Sequence, residues 1–184
     1  MMNMAEDYDY LIKIMLIGDP GTGKNTLILN NASGYFAEDY KMTIGVDFHT
    51  KRIELKTSDG SKRCVLQIWV PTEQIRFKYL RSRYYLSALG VILLFDLTNH
   101  LTFDNLPIWI KEVKDALKYE VPILIAGNKC DLVDQRVVAK NEIDQFTHDN
   151  HLHYIEISAK TGEGVEESFQ TLTRLMVEDI NKKR

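Results

Sequence analysis

The chain has 184 residues, 45% of them apolar, which is enough for one compact domain and too few for two ordinary ones. Its formal net charge of −3 argues against nucleic acid or an anionic membrane as a general partner. No apolar run, that over residues 90–95 included, approaches the ~18 residues of a membrane span, and Met1-Met2-Asn3-Met4-Ala5-Glu6-Asp7 has neither the basic nor the apolar region of a signal peptide.

Residues 10–17 form an apolar run that reads as a buried strand, followed by a helix from Lys24 that turns Leu27 and Ile28 inward and stops near Gly34. Val46, Phe48, Ile53 and Leu55 alternate as in a strand. Ser58-Asp59-Gly60 is a hairpin signal before a second strand over residues 64–69. Residues 91–95 and 122–126 are continuous apolar runs, the pattern of parallel strands covered on both faces. Between them Phe103, Leu106, Ile110, Val113 and Leu117 step 3, 4, 3, 4, which predicts one amphipathic helix. A short strand over residues 154–157, edged by His151 and His153, precedes a last helix with Val165, Phe169, Leu172 and Met176 on one face. Strands alternate with helices, so the expected fold is a single doubly wound α/β domain with a mainly parallel six-stranded sheet and helices on both faces. Cys64 and Cys130, the only cysteines, fall far apart in a strand and a loop. They are expected to be reduced thiols of a cytoplasmic protein. The five histidines form no metal-ligand pattern.

Gly18-Asp19-Pro20-Gly21-Thr22-Gly23-Lys24 fits the phosphate-binding template G-x-x-x-x-G-K, and it lies where the mechanism needs it, between a strand and a helix. Glycines let successive backbone N–H groups curl around a polyphosphate, and the lysine neutralises its outer oxygens. The next position calls for a Ser or Thr hydroxyl to meet Mg²⁺; here it is Asn25, with a longer side chain that carries an NH₂. Asn128-Lys129-Cys130-Asp131 follows a buried strand, at the carboxyl end where such sheets bind ligands. A carboxylate there can accept two hydrogen bonds from the adjacent N–H donors of guanine and is left unpaired by adenine. Ser158-Ala159-Lys160 follows another short strand and makes the pair of loops specific.

With these motifs the chain resembles a Ras-superfamily small GTPase, and more narrowly a Rab protein of vesicle traffic. Thr43-Ile44-Gly45-Val46-Asp47-Phe48, Leu66-Gln67-Ile68-Trp69, Arg76-Phe77, Tyr84-Tyr85 and Gly127-Asn128-Lys129-Cys130-Asp131-Leu132 carry the likeness. The resemblance implies a GDP or GTP site in which Gly21, Thr22, Gly23, Lys24, Asn25 and Thr26 meet the phosphates. By the same resemblance Phe36 would stack edgewise on guanine, with an ordinary loop aromatic as the alternative. Asn128, Lys129 and Asp131 would read the base, and Ser158, Ala159 and Lys160 would belong to the site, the Ala159 backbone meeting O6. Thr43 is implied as the sensor of γ-phosphate and, with Asn25, as what remains of a Mg²⁺ site. Gln74 stands where the attacking water is oriented, with a surface glutamine as the alternative. Phe48, Trp69 and Tyr84 match the aromatic trio that receives protein effectors, the alternative being three half-buried packing residues.

The departures matter equally. After Trp69 the family has Asp-Thr-Ala-Gly-Gln-Glu, whereas this chain has Val70-Pro71-Thr72-Glu73-Gln74-Ile75. The Asp of the metal site is replaced by Val70, which has no lone pairs. The Gly that touches the γ-phosphate is replaced by Glu73. Two like charges ~4 Å apart repel by about 4 kcal/mol at an effective dielectric near 20, so a Glu73 facing that phosphate disfavours GTP; turned to solvent it costs little. Pro71 fixes its own φ and restricts Val70. Three readings follow: a slow GTPase using Lys24, Thr43 and Gln74 with Mg²⁺; a nucleotide-locked pseudo-GTPase that binds partners; or a protein that sequesters an exchange factor. Weak or absent hydrolysis is the expectation. The sequence ends at Asn181-Lys182-Lys183-Arg184 without the cysteines that carry prenyl anchors, so a membrane is a partner only through a further, lipidated tail.

Overall fold

The computed structural model describes residues 8–31, 45–58, 60–72 and 78–183. Six strands form one sheet in the order β2-β3-β1-β4-β5-β6. Strands β1 (Tyr10–Gly18), β3 (Gly60–Pro71), β4 (Gly90–Asp96), β5 (Ile123–Asn128) and β6 (His153–Glu156) run parallel, and β2 (Val46–Thr57) pairs antiparallel with β3 at one edge. The expected fold class is the observed one.

Alternation along β1 sends Ile12, Ile14 and Leu16 to one face and Met15 and Ile17 to the other. The first face packs against Leu27 and Ile28 of α1 (Lys24–Asn31) and Phe169, Leu172 and Met176 of α6 (Val165–Lys182). The second face packs against Phe103 of α3 (His100–Asp104), Trp109 and Val113 of α4 (Leu106–Ala116) and Ile143 of α5 (Lys140–Asp149). Helix α2 (Lys78–Tyr84) lies between β3 and β4 in the chain.

The helix expected across residues 103–117 is two helices. Pro107, in the first turn of α4, has no N–H to continue a preceding helix, and the break falls at Asn105. Asn105 keeps helical φ/ψ, so the apolar period runs through the break unchanged. His151 is in a left-handed turn with φ 54°, and only His153 reaches the strand, one residue earlier than expected. Both hairpin strands are longer than their apolar residues suggest, because an edge ribbon leaves one face to solvent. Ile53 and Leu55 are buried while Arg52 and Glu54 are exposed. Helix α5 has no counterpart among the expected elements. Cys64 and Cys130 are free thiols, buried in β3 and half-buried in a loop. Among the described residues no helix is long and apolar enough to cross a membrane.

Candidate functional site

The glycine loop leaves β1 at its carboxyl end and runs into α1, beside the ends of β4 and β5. Gly21 and Gly23 take left-handed φ of 78° and 98°. At Gly23 the need for glycine is also steric, since a Cβ there would stand 2.2 Å from Nδ2 of Asn128. Lys24 is 6% exposed, and its ammonium curls back to donate to the carbonyls of Gly18 (2.9 Å) and Asp19 (2.8 Å). The Thr22 hydroxyl donates to the Asp19 carbonyl at 2.8 Å. Asn25 and Thr26 are exposed in the first turn of α1, where backbone N–H groups have no intrahelical partner.

A carboxylate within a phosphate-binding loop needs an explanation. Asp19 has both oxygens engaged elsewhere: Nδ2 of Asn105 donates to Oδ2 at 2.7 Å and the Trp109 indole N–H to Oδ1 at 2.8 Å. Its charge is thereby tied to the α3–α4 region. Asp19, Asn105 and Trp109 are site residues that the motif did not flag.

Asn128 joins the loops. It is 2% exposed; Nδ2 donates to the Thr22 carbonyl at 2.7 Å, and Oδ1 accepts from the N–H groups of Lys129 (2.8 Å) and Ala159 (2.9 Å). The Ala159 carbonyl accepts from Asn30 of α1 at 3.2 Å. Lys129 has φ 70°, and its ammonium pairs with Asp96 at the end of β4, whose Oδ1 also accepts from the N–H and hydroxyl of Thr98. Asp131 is half-buried on the same loop, Ser158 is fully buried and Lys160 is exposed. The Ser158 N–H donates to the Glu163 carbonyl at 2.9 Å and its Oγ accepts from Thr161 at 3.1 Å, which fixes the second loop. Burial, with the carboxylates of Glu163, Glu156 and Asp131, pushes the Cys130 thiol up to about 11, so it is protonated at neutral pH. Phe36, Thr43, Glu73 and Gln74 lie outside the described residues. The remaining expected residues converge on the carboxyl edge of the sheet.

The aromatic trio also comes together. Phe48 and Trp69 are cross-strand partners with ring centroids 4.4 Å apart, edge to face, and Tyr84 of α2 lies 6.2 Å from Trp69. The Lys13 ammonium sits 3.5 Å from the Trp69 ring centroid and donates to the Leu86 carbonyl at 2.8 Å. Phe48 is half exposed, as an interface anchor must be. Phe48→Ala is expected to weaken a partner docked on this face by ~2 kcal/mol, about thirtyfold in Kd. Nucleotide affinity should stay within about twofold; its collapse would identify Phe48 as a core residue instead.

The sequence matches the Ras family over residues 13–178. It is 40% identical to Ras-related protein Rab-8B of Homo sapiens over 180 residues, 98% of this chain and 85% of that protein. It is 39% identical to Ras-related protein Rab-13 of Mesocricetus auratus over 171 residues (93% and 82%) and 39% identical to Ras-related protein Rab-1 of Theileria annulata over 178 residues (96% and 79%). By motif, fold and similarity along nearly its whole length, the chain belongs to the Ras family, as a Rab-like small GTPase of the Ras superfamily.

Proposed function

We propose that this chain binds guanine nucleotide and acts in vesicle traffic by presenting its aromatic face to protein partners, with GTP hydrolysis weak or absent. The observation that carries the second half is Val70. It is 5% exposed at the end of β3 and belongs to the apolar cluster that includes Leu16, Leu27 and Ile28. The resemblance puts a metal-site aspartate there, and Val70 brings only methyl groups to that position.

The residues fit a guanine nucleotide. Lys24 and the glycine loop would hold the phosphates, and Asn128, Lys129 and Asp131, braced by the Ser158 loop, would read the base. Asp131 would accept from guanine's two adjacent N–H donors, and the turned-away Asp19 removes a like charge from the phosphates. Magnesium fits these residues poorly. Val70 has no donor atom, Asn25 replaces a hydroxyl with an amide, and Thr43 alone of the family's protein contacts is kept. Pro71 is buried at the strand end and Thr72 donates to the Gly45 carbonyl at 2.8 Å, both of which stiffen the exit toward the second switch. Association with vesicle membranes would come through a lipidated tail.

The nucleotide is tested by extracting the purified protein and chromatographing what co-purifies, with thermal melts alongside. GDP at a hundredfold over its Kd stabilises by ~2.7 kcal/mol, so Tm should rise by about 5–10 °C, and ADP should leave it unchanged. No guanine nucleotide in the extract and no shift with millimolar GDP would remove the proposal.

A further inference from the structure

Helix α2 carries Tyr84 of the aromatic face, yet Arg81 is the sole fully buried side chain among its seven residues. Tyr79 and Leu80 are exposed, at 73% and 44%. The one buried attachment within the helix is therefore a charge, beside the half-buried packing of Tyr84. Arg81, 4% exposed, donates from Nε to Glu112 Oε1 at 2.6 Å and from Nη2 to Oε2 at 2.9 Å, a two-pronged pair with a carboxylate of α4 that is itself 8% exposed. Its Nη1 donates to the carbonyl of Thr72, just beyond the end of β3, at 3.0 Å. The Tyr85 hydroxyl donates to Glu112 Oε1 at 3.1 Å. Burial and the Glu112 charge raise the Tyr85 pKa, which keeps this donor protonated. The guanidinium lies 4.9 Å from the ring of Trp109, whose indole N–H holds Asp19 of the phosphate loop. One helix, α4, thus braces both the phosphate loop and the partner-facing helix.

We propose that Arg81 and Glu112 form a latch that keeps α2 in one position on α4 whichever guanine nucleotide the site holds, so that the aromatic face is offered to partners in every state. Apolar packing can slide, but a two-pronged pair out of water has one good geometry. Withdrawing either partner leaves an uncompensated buried charge, a strongly unfavourable arrangement, although the intact pair adds little to overall stability. The latch therefore selects a position of α2. Insensitivity to nucleotide rests on the proposed guanine-nucleotide binding; the hold of Arg81 and Glu112 on α2 does not.

Hydrogen exchange separates the two. The whole chain is compared without nucleotide, with GDP and with a non-hydrolysable GTP analogue, using residues 90–96 as the internal reference. In the unaltered protein, exchange across residues 78–84 is expected to agree within roughly threefold in the three states. Glu112→Gln, which keeps the shape and removes the charge, and Arg81→Met are each expected to speed exchange there by about tenfold or more relative to the reference. A wild-type difference between GDP and the analogue beyond about threefold would overturn nucleotide insensitivity, and unchanged exchange in both variants would overturn the latch itself. If titration shows that neither nucleotide binds, the proposed function falls while the nucleotide-free comparison still decides the latch. If one variant is loosened throughout, residues 90–96 report it, and the other variant decides the latch.

Discussion

Asp131→Asn is expected to abolish binding of GDP and GTP and to admit xanthine nucleotides. The carboxylate offers acceptors only, matched to the two adjacent N–H donors on guanine's edge. An amide at the same place presents an NH₂ group to one of those donors, so one hydrogen bond is lost and a donor faces a donor. Losing one hydrogen bond to a charged acceptor costs ~1.5–3 kcal/mol and leaving its buried donor unpaired about 1–3 kcal/mol more, so the change amounts to about 3–6 kcal/mol, or roughly two to four decades in Kd. Xanthine carries an oxygen where guanine carries its amino group, and the amide can donate to it. The loop should survive the exchange, because its shape is fixed by Asn128, by the left-handed Lys129 and by the 3.1 Å bond from the Cys130 N–H to the Ile157 carbonyl. None of these involves the Asp131 side chain. Titration of GDP, GTP and XDP into both proteins measures the switch, and unchanged GDP affinity would remove Asp131 from the base-reading set.

The parts legible in the sequence are those that local pattern encodes. Strands β1, β4 and β5 are covered on both faces and so read as apolar runs, and the phosphate loop declares itself by glycines whose positive φ no other residue adopts cheaply. Helix α5 stayed hidden because Ile143 and Thr147 are its only buried residues among charged neighbours. The break at Asn105 was masked by an apolar stripe that continues through it, although Pro107 was the available signal. The pairings that organise the site were not legible. Asp19 meets its partners 86 and 90 residues away, and Arg81 meets Glu112 31 residues away, separations that no periodicity records. Glu112 did leave a trace, as a charge between Trp109 and Val113 on the buried face of α4. A charge in that position calls for a buried partner of opposite sign.

Nucleotide binding is expected to depend on Mg²⁺ far less than in ordinary relatives, and single-turnover hydrolysis to be slower by about three decades. The ion's usual service is to neutralise charge on the β- and γ-phosphates, a stabilisation of several kcal/mol at the transition state. Losing about 4 kcal/mol of it slows the reaction roughly a thousandfold. Val70 contributes methyl groups in the core, and Asn25 contributes an amide at the exposed start of α1. Phosphate binding would draw on other groups: Lys24, now curled back on the Gly18 carbonyl, and the glycine loop that Asn128 ties down through the Thr22 carbonyl. Binding and turnover should therefore separate. GDP and GTP are titrated in millimolar Mg²⁺ and in EDTA, and hydrolysis is followed in a single turnover beside a Rab relative. Affinities in the two buffers should agree within about tenfold, a difference of ~1.4 kcal/mol. A far larger loss in EDTA, joined to turnover at the relative's rate in Mg²⁺, would mean that other residues have rebuilt the metal site, and the reading of a weakened enzyme would fall with it.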